Sequence, residues 1–206
     1  MKFFIGTKLH MTQFFAEDGR AFAGTVLKAA PVTVTAVKDG GKDGYAAVQV
    51  GYGTQKKERL SKAVQGQLKE LAPVRGMKEF RLPSDEVKGF SRGSAIDISI
   101  FKPGDVVEVA AISKGKGFQG VVKRHGFAGG RRSHGNKHAE REAGSIGATW
   151  PQRVIKNKRM PGRMGGDRIT VKNLKVLQVD PEAKLLLISG AIPGRRGTVV
   201  EVRSMK

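Results

Sequence analysis

A glycine-rich motif near the middle of the chain has the spacing of a nucleotide-binding loop. Residues 115–120 read GKGFQG, and Val122 extends the match to the glycine-rich loop of protein kinases. A dinucleotide site needs a helix directly after the third glycine, but Gly126 and the glycines at 129–130 would break it within two turns. The kinase pattern needs VAIK-like, HRD-like and DFG-like elements, which do not follow. We predict no nucleotide cofactor and interpret these glycines as backbone that a binding partner can approach closely.

Histidines in the same region have the spacing of metal ligands. His134 and His138 are four residues apart, and on a helix they could ligate zinc together with Glu140 or Glu142. Gly135 argues against a stable helix, and the many surrounding cations would repel a divalent metal. We therefore predict no metal site at these histidines or at His125 nearby.

No set of acids or nucleophiles predicts catalysis. Glu140, Glu142 and Asp167 lie among arginines and lysines, where scattered acids more often form ion pairs. No Ser-His-Asp set can be assembled without assuming a fold, and the sequence has no Walker P-loop. The absence of cysteine excludes disulfides, thiolate zinc sites and iron–sulfur clusters. We predict that the protein is not an enzyme and has no cofactor or small-molecule substrate.

The charge balance predicts a polyanionic partner. The 206 residues include 38 lysines and arginines against 18 acids, a formal net charge of +20. Such a charge destabilises a compact monomer by self-repulsion unless a polyanion neutralises it. Nucleic acid fits, because neutralising its phosphates releases counterions and drives binding.

The hydrophobic pattern predicts a cytoplasmic protein with no membrane partner. No apolar run approaches the ~18 residues that span a bilayer. The apolar run at residues 3–5 is too short for a signal peptide. We find no basic amphipathic helix of the kind that lies on a membrane surface.

The two ends of the chain have the pattern of short strands and tight turns. Apolar and polar residues alternate at 32–35 and 96–100, as in half-buried strands. Further strands are predicted at 106–112, 169–179, 185–189 and 198–202, a short helix near 61–72, and turns at 18–19, 39–40, 43–44, 102–105 and 192–195. Many short strands joined by tight turns favour a small barrel or a sandwich.

Residues 113–168 differ in composition from both ends. These 56 residues hold 14 lysines or arginines, three acids and 12 of the 28 glycines. They cannot bury enough apolar surface to offset their ordering entropy, so we expect them to become ordered on RNA. A disordered basic linker is the alternative, although Ile146, Trp150 and Ile155 would then be left in water. Trp150 either joins a local apolar cluster or stacks on a base.

Several motifs resemble, in the same order, those of one protein family. The run at 101–124 reads FKPGDVVEVAAISKGKGFQGVVKR and is similar to the signature region of the universal large-subunit ribosomal protein L-three family, bacterial type. Residues 134–136, 144–147 and 160–165 (HGN, GSIG and MPGRMG) agree, as does the start at 5–19. The resemblance spans essentially the whole chain.

The resemblance implies a mainly β protein with two parts. Residues 1–112 and 169–206 would form a small closed β-barrel of the elongation-factor type with one short helix, and 113–168 a long irregular basic extension that penetrates rRNA. The chain would be a structural constituent of the large ribosomal subunit that binds 23S-type rRNA, supports early assembly and has other large-subunit proteins as neighbours. The alternative is a non-ribosomal RNA-binding regulator or chaperone.

The resemblance also implies where RNA would be contacted. The tip of the extension would be residues 144–153, near the peptidyl transferase centre, where RNA performs the chemistry. The side chains that would line phosphates are Lys114, Lys116, Lys123, Arg124, Arg131, Arg132, Arg153, Lys156, Lys158, Arg159 and Arg163. The other predicted RNA-binding residues are His125, His134, Lys137, His138, Arg141, Ser145, Trp150 and Arg168. Some family members carry a methylated glutamine after GSIG; residues 148–150 here are Ala-Thr-Trp, so we predict no such modification.

Overall fold

The computed structural model describes residues 1–29 and 32–205, and the chain divides into two compact units. The first comprises Met1–Ile112 and Ile169–Lys206, within which Ala30, Pro31 and Lys206 lie outside the described residues. The second unit is Ser113–Arg168. Strands dominate the regular structure, so the prediction of a mainly β protein is confirmed. Among the described residues, no helix has the length and apolar character needed to cross a membrane.

The described strands and helices are short, apart from two strands of 13 residues. The strands are β1 Phe3–Phe15, β2 Ala21–Ala29, β3 Val32–Lys38, β4 Ala47–Thr54, β5 Val74–Arg81, β6 Ala95–Ile96, β7 Val106–Ile112, β8 Gly117–Gln119, β9 Gly162–Met164, β10 Arg168–Asp180, β11 Leu185–Ser189 and β12 Val199–Ser204. The helices are α1 Gly40–Asp43, α2 Lys62–Leu68, α3 Ser84–Val87 and α4 Val121–His125, with 3₁₀ turns at Lys57–Arg59, Ile98–Ile100 and Ala139–Arg141.

Six strands of the first unit form a closed barrel in the order β1-β12-β7-β10-β11-β2. Strand β1 closes it by pairing antiparallel with β12, where Phe4 faces Val202, and with β2, where Thr7 faces Lys28. The remaining strands of this unit form a four-stranded sheet in the order β5-β4-β3-β6. One hydrophobic cluster includes residues from both sheets, and Phe3 of β1 stacks on Phe80 of β5 with ring centroids 4.3 Å apart. The first unit therefore has a single core.

The structure corrects part of the predicted secondary structure. The strand predicted at 96–100 ends at Ile96, because the carboxylate of Asp97 accepts a hydrogen bond from the Ile98 backbone N–H and starts a 3₁₀ turn at Ile98–Ile100. The helix predicted near 61–72 is present but shorter, beginning after the Ser61 side chain that caps it. The prediction of one short helix is wrong, since the described residues include four helices.

A network of polar side chains lies on the four-stranded sheet. The Lys38 ammonium group donates to the Tyr45 hydroxyl at 2.5 Å and lies 3.0 Å from the Glu79 carboxylate. The Glu79 carboxylate accepts hydrogen bonds from the Tyr45 hydroxyl at 2.9 Å and from the Gln49 side-chain amide at 3.2 Å. The hydrogen bond from Lys38, followed by that from Tyr45, holds the pKa of the Glu79 carboxyl below its usual value.

This network makes stability depend on pH in the acid range. Because the pKa of Glu79 is lower in the folded chain than in the unfolded chain, its stabilisation is complete above the ordinary carboxyl pKa and is lost as pH falls through the folded-state pKa. We expect Glu79→Gln to lower the urea midpoint at about pH 7 and to reduce the further loss on acidification to about pH 3. Glu17→Gln, at an exposed position, is the control. An acid-induced loss equal to that of the unmodified chain would contradict the assignment.

Candidate nucleic-acid interface

A paired stem joins the two ends of the second unit. In β8 and β9, Gly117 faces Met164, Phe118 faces Arg163 and Gln119 faces Gly162 in antiparallel register. Toward the ends of the unit, the Ser113 backbone N–H donates to the Asp167 carbonyl at 2.9 Å. The prediction of an irregular segment is therefore wrong at its base, because backbone hydrogen bonds pair two short strands there.

Gly165 allows the two arms of the stem to approach. Its φ is +75°, and a Cβ atom there would lie 2.2 Å from the backbone carbonyl oxygen of Lys114. That distance is less than any contact a real Cβ atom makes, and the neighbour is backbone that cannot rotate away. The sequence motif MPGRMG thus contains a glycine that the stem requires for a steric reason.

We expect Gly165→Ala to open the stem. The added methyl group would clash with Lys114, and a left-handed backbone costs about 1–3 kcal/mol for a residue with a side chain. Hydrogen exchange should then speed up at the amides of Ser113 and Lys116, which donate to carbonyls across the stem. Gly115→Ala is the matched control, since a Cβ atom added at Gly115 would have nothing within 4 Å. Unchanged protection in Gly165→Ala would refute the steric argument.

The glycine-rich motif leads into a helix of five residues. Gly120 precedes α4, and Gly126 ends it with φ of +73° and a backbone N–H that donates to the Val122 carbonyl. The predicted break within two turns is confirmed. Val121, at the start of α4, is the one buried residue of Ser113–Arg168, a segment described in full. This unit has almost no hydrophobic core of its own.

Two predicted RNA-binding residues are half-buried and hold the backbone of this unit together. The Arg124 guanidinium donates to the Met160 carbonyl oxygen at 2.7 Å, and Nε2 of His125 lies 3.1 Å from the same oxygen. Gly162 leaves room for Arg124, whose Nη1 would lie 2.6 Å from a Cβ atom there. Both side chains therefore have a structural role whether or not they also contact RNA.

A second tight loop follows α4. The Gly130 backbone N–H donates to the Glu140 carbonyl at 2.9 Å, and a Cβ atom on Gly129 would lie 2.1 Å from that oxygen. The side-chain amide of Asn136 crosses the loop, donating to the Arg131 carbonyl at 2.5 Å and accepting from the Ala139 N–H at 3.2 Å. These contacts fix the backbone that carries several of the predicted cations.

The histidines and acids of this loop do not form the sites that their spacing suggested. His134 has φ of +61° and Gly135 of +82°, so the helix that would bring His134 and His138 together does not form. The Glu140 carboxylate instead pairs with Nε of Arg132 at 2.7 Å. The expectation that scattered acids pair with nearby arginines is confirmed for Glu140.

The loop at residues 145–155 presents apolar side chains to solvent. Trp150 is 82% exposed, Ile146 is 46% exposed and Ile155 is 58% exposed, so no closed apolar cluster covers the tryptophan. The Ser145 hydroxyl is used locally, donating to the Gly147 carbonyl at 2.6 Å. Phe118 on β8 is 76% exposed and was missed by the sequence reasoning. Its signal was an aromatic residue inside a run of glycines and lysines.

The predicted cations share a solvent-facing position. Apart from Arg124 and His125, all the predicted RNA-binding residues are exposed. Acids are too few to neutralise them, because the unit holds only three. The second unit therefore displays a net positive charge on a backbone held by glycine contacts, a hydrogen-bonded stem and one ordered loop, which suits contact with a phosphate backbone.

Comparison with known proteins gives consistent matches. The sequence model of the family described as Ribosomal protein L3 matches residues 91–185. The chain is 45% identical over 203 residues to the large ribosomal subunit protein uL3 of Brachyspira hyodysenteriae, covering 97% of this chain and 92% of that protein. It is 48% identical over 202 residues to the uL3 protein of Picosynechococcus sp., covering 96% and 93% of the two chains. The uL3 protein of Corynebacterium diphtheriae is 44% identical over 207 residues, covering 99% and 94%.

Proposed function

The chain belongs to the ribosomal protein L3 family, and we propose that it is a structural constituent of the large ribosomal subunit that binds large-subunit rRNA directly. Its curated relatives carry the name of a large-subunit protein, and the family is structural rather than enzymatic. The protein is accordingly not an enzyme. Its place of action would be the bacterial cytoplasm, where large subunits assemble and work.

The observation that carries the proposal is the excess positive charge of Ser113–Arg168. The segment contains fourteen lysines and arginines but only three acids, and only Val121 of its residues is buried. Such a segment gains little from folding on itself and much from phosphate neutralisation. In this proposal the predicted cations contact phosphates, while Trp150 and Phe118 stack on bases.

Finer parts of the proposal follow the family resemblance. The globular barrel would be of the elongation-factor type and would have other large-subunit proteins as neighbours. The extension would enter 23S-type rRNA, with residues 144–153 near the peptidyl transferase centre. By holding RNA helices at fixed spacing it would support early assembly of the subunit. The closed six-stranded order of the first unit and the glycine-rich, basic second unit support this division of roles.

Sucrose-gradient sedimentation tests the proposal. A lysate is washed in high salt, and this chain is followed in gradients with and without ribonuclease. We expect the chain to remain with the large-subunit peak and to leave it after RNA digestion. Migration at the top of both gradients would refute a ribosomal role and favour a free RNA-binding regulator or chaperone.

A further inference from the structure

The first unit carries a second cluster of cations, separate in sequence from the extension. Between β4 and β5 the chain makes an excursion, residues 55–73, which contains the 3₁₀ turn Lys57–Arg59 and helix α2. Its acids are Glu58 and Glu70. Its five cations, all exposed, are Lys56, Lys57, Arg59, Lys62 and Lys69.

Among the described residues these five cations have no carboxylate partner, whereas Lys2 and Lys78 of the same unit each have one. Elsewhere Lys2 pairs with Asp105 at 2.6 Å, and Lys78 pairs with Glu201 at 3.3 Å. Within residues 1–29 and 32–205, no ion pair involves any of the five cations of the excursion. Their charge is therefore available to an external partner.

The excursion is held in place by its own hydrogen bonds. The Gln65 side-chain amide donates to the Lys57 carbonyl at 3.0 Å and to the Leu60 carbonyl at 2.8 Å, which ties the 3₁₀ turn to α2. The Gln55 N–H donates to the Pro73 carbonyl at 3.3 Å and closes the base. Leu68 of α2 is buried. A cation on a backbone that is already ordered loses less conformational entropy on binding than a cation on a flexible loop.

From these observations we propose that the excursion is a preformed binding surface for the phosphate backbone of large-subunit rRNA, independent of the extension. This inference rests on the proposed ribosomal function. RNA fits better than an acidic protein, because protein interfaces are usually anchored by aromatic or other large apolar side chains. None of the exposed large hydrophobic residues lies in residues 55–73. The excursion also lacks aromatic residues for base stacking, so it contacts the phosphate backbone and does not discriminate between base sequences.

Lysine acetylation tests the surface in the chain of unchanged sequence. The full chain is treated with an amine-reactive reagent when free, when bound to deproteinised large-subunit rRNA and when part of assembled large subunits, and each site is quantified by mass spectrometry. We expect rRNA to lower the reactivity of Lys57, Lys62 and Lys69 several-fold, but not that of exposed Lys42 and Lys88. Unchanged reactivity of all five lysines would overturn the inference. Protection of the excursion only in the assembled subunit would assign it to a protein neighbour instead and also overturn it.

Charge removal provides the quantitative test. The triple variant Lys57→Gln, Arg59→Gln, Lys62→Gln should weaken binding of the full chain to this rRNA about tenfold or more, and flatten the dependence of log affinity on log salt by about 2–3. The control variant Lys42→Gln, Lys88→Gln, Lys184→Gln removes the same charge from exposed positions elsewhere. Equal slopes in the two variants would overturn the inference.

A parallel variant separates this inference from the proposed function. If charge removal in the extension weakens binding while the excursion variant behaves as the control, the inference fails and the function stands. If the unmodified chain does not bind large-subunit rRNA above its binding to unrelated RNA, the proposed function fails, and the inference fails with it.

Discussion

Replacement of Arg131, Lys156 and Lys158 by glutamine is expected to weaken binding to large-subunit rRNA on the order of tenfold to a hundredfold. All three side chains are exposed, and no described residue forms an ion pair with them. Each lost phosphate contact lowers the number of counterions that binding releases, so the slope of log affinity against log salt should become shallower by about 2–3.

The measurement is filter binding of the full chain to large-subunit rRNA at several salt concentrations. Three exposed cations of the first unit, Lys42, Lys88 and Lys184, replaced together by glutamine, provide a control of equal charge change. Retained affinity with a shallower slope would mean that non-ionic contacts compensate. A slope equal to that of the unmodified chain would show that these three side chains do not contact phosphate.

Arg124 is expected to behave differently from these three residues. Its guanidinium already donates to the Met160 carbonyl, so Arg124→Gln would loosen the second unit as well as remove a charge. In addition to weaker RNA binding, Arg124→Gln should therefore show faster hydrogen exchange near residue 160. The triple variant of exposed cations should not show this faster exchange.

Runs of apolar residues in the sequence identified strands in which neighbouring residues are both buried. Residues 106–112 and 185–189 form strands at the predicted positions, because adjacent apolar residues there lie in or next to the core. The pattern failed where a side chain competes with the strand. At residues 96–100 alternation favoured a strand, but the Asp97 carboxylate captures the next backbone N–H and turns the chain.

Closure of the barrel could not be derived from periodicity. It depends on the pairing of Phe3 with Arg203 and of Phe4 with Val202, residues at opposite ends of the chain. Strand β1 also departs from alternation, since Phe3, Phe4 and Ile5 are all buried. Phe3 stacks on Phe80 of the second sheet, so successive residues of β1 can both be covered. Only the tertiary arrangement supplies that information.

The candidate interface was predictable in its chemistry and not in its geometry. Composition alone identified the basic segment, because charge and glycine content need no fold to be counted. The β8–β9 stem pairs three-residue strands that are far apart in sequence and carry no periodic signal. The requirement for glycine at 165 comes from the approach of the Lys114 carbonyl, which is a tertiary contact.

Phe4→Ala is the substitution expected to have the largest effect on stability. Phe4 is 1% exposed in the core of the first unit, on the strand that closes the barrel. Truncating a buried phenylalanine to alanine costs about 3–5 kcal/mol, from lost transfer free energy and the cavity left behind. Since whole domains are stable by only about 5–15 kcal/mol, this variant should be near the threshold of folding.

The measurement is urea unfolding, with Phe15→Ala as a matched control on the same strand. Phe15 is 67% exposed, so its truncation should change the free energy of unfolding by no more than about 0.5 kcal/mol. A large drop in midpoint for Phe4→Ala with an unchanged slope would place its ring in the cooperative core. Similar midpoints for the two variants would contradict the barrel closure derived from β1. Because the second unit buries only Val121, this unfolding transition reports the first unit. Phe4→Ala should therefore reduce incorporation into ribosomes while leaving the exposed cations of the second unit unchanged.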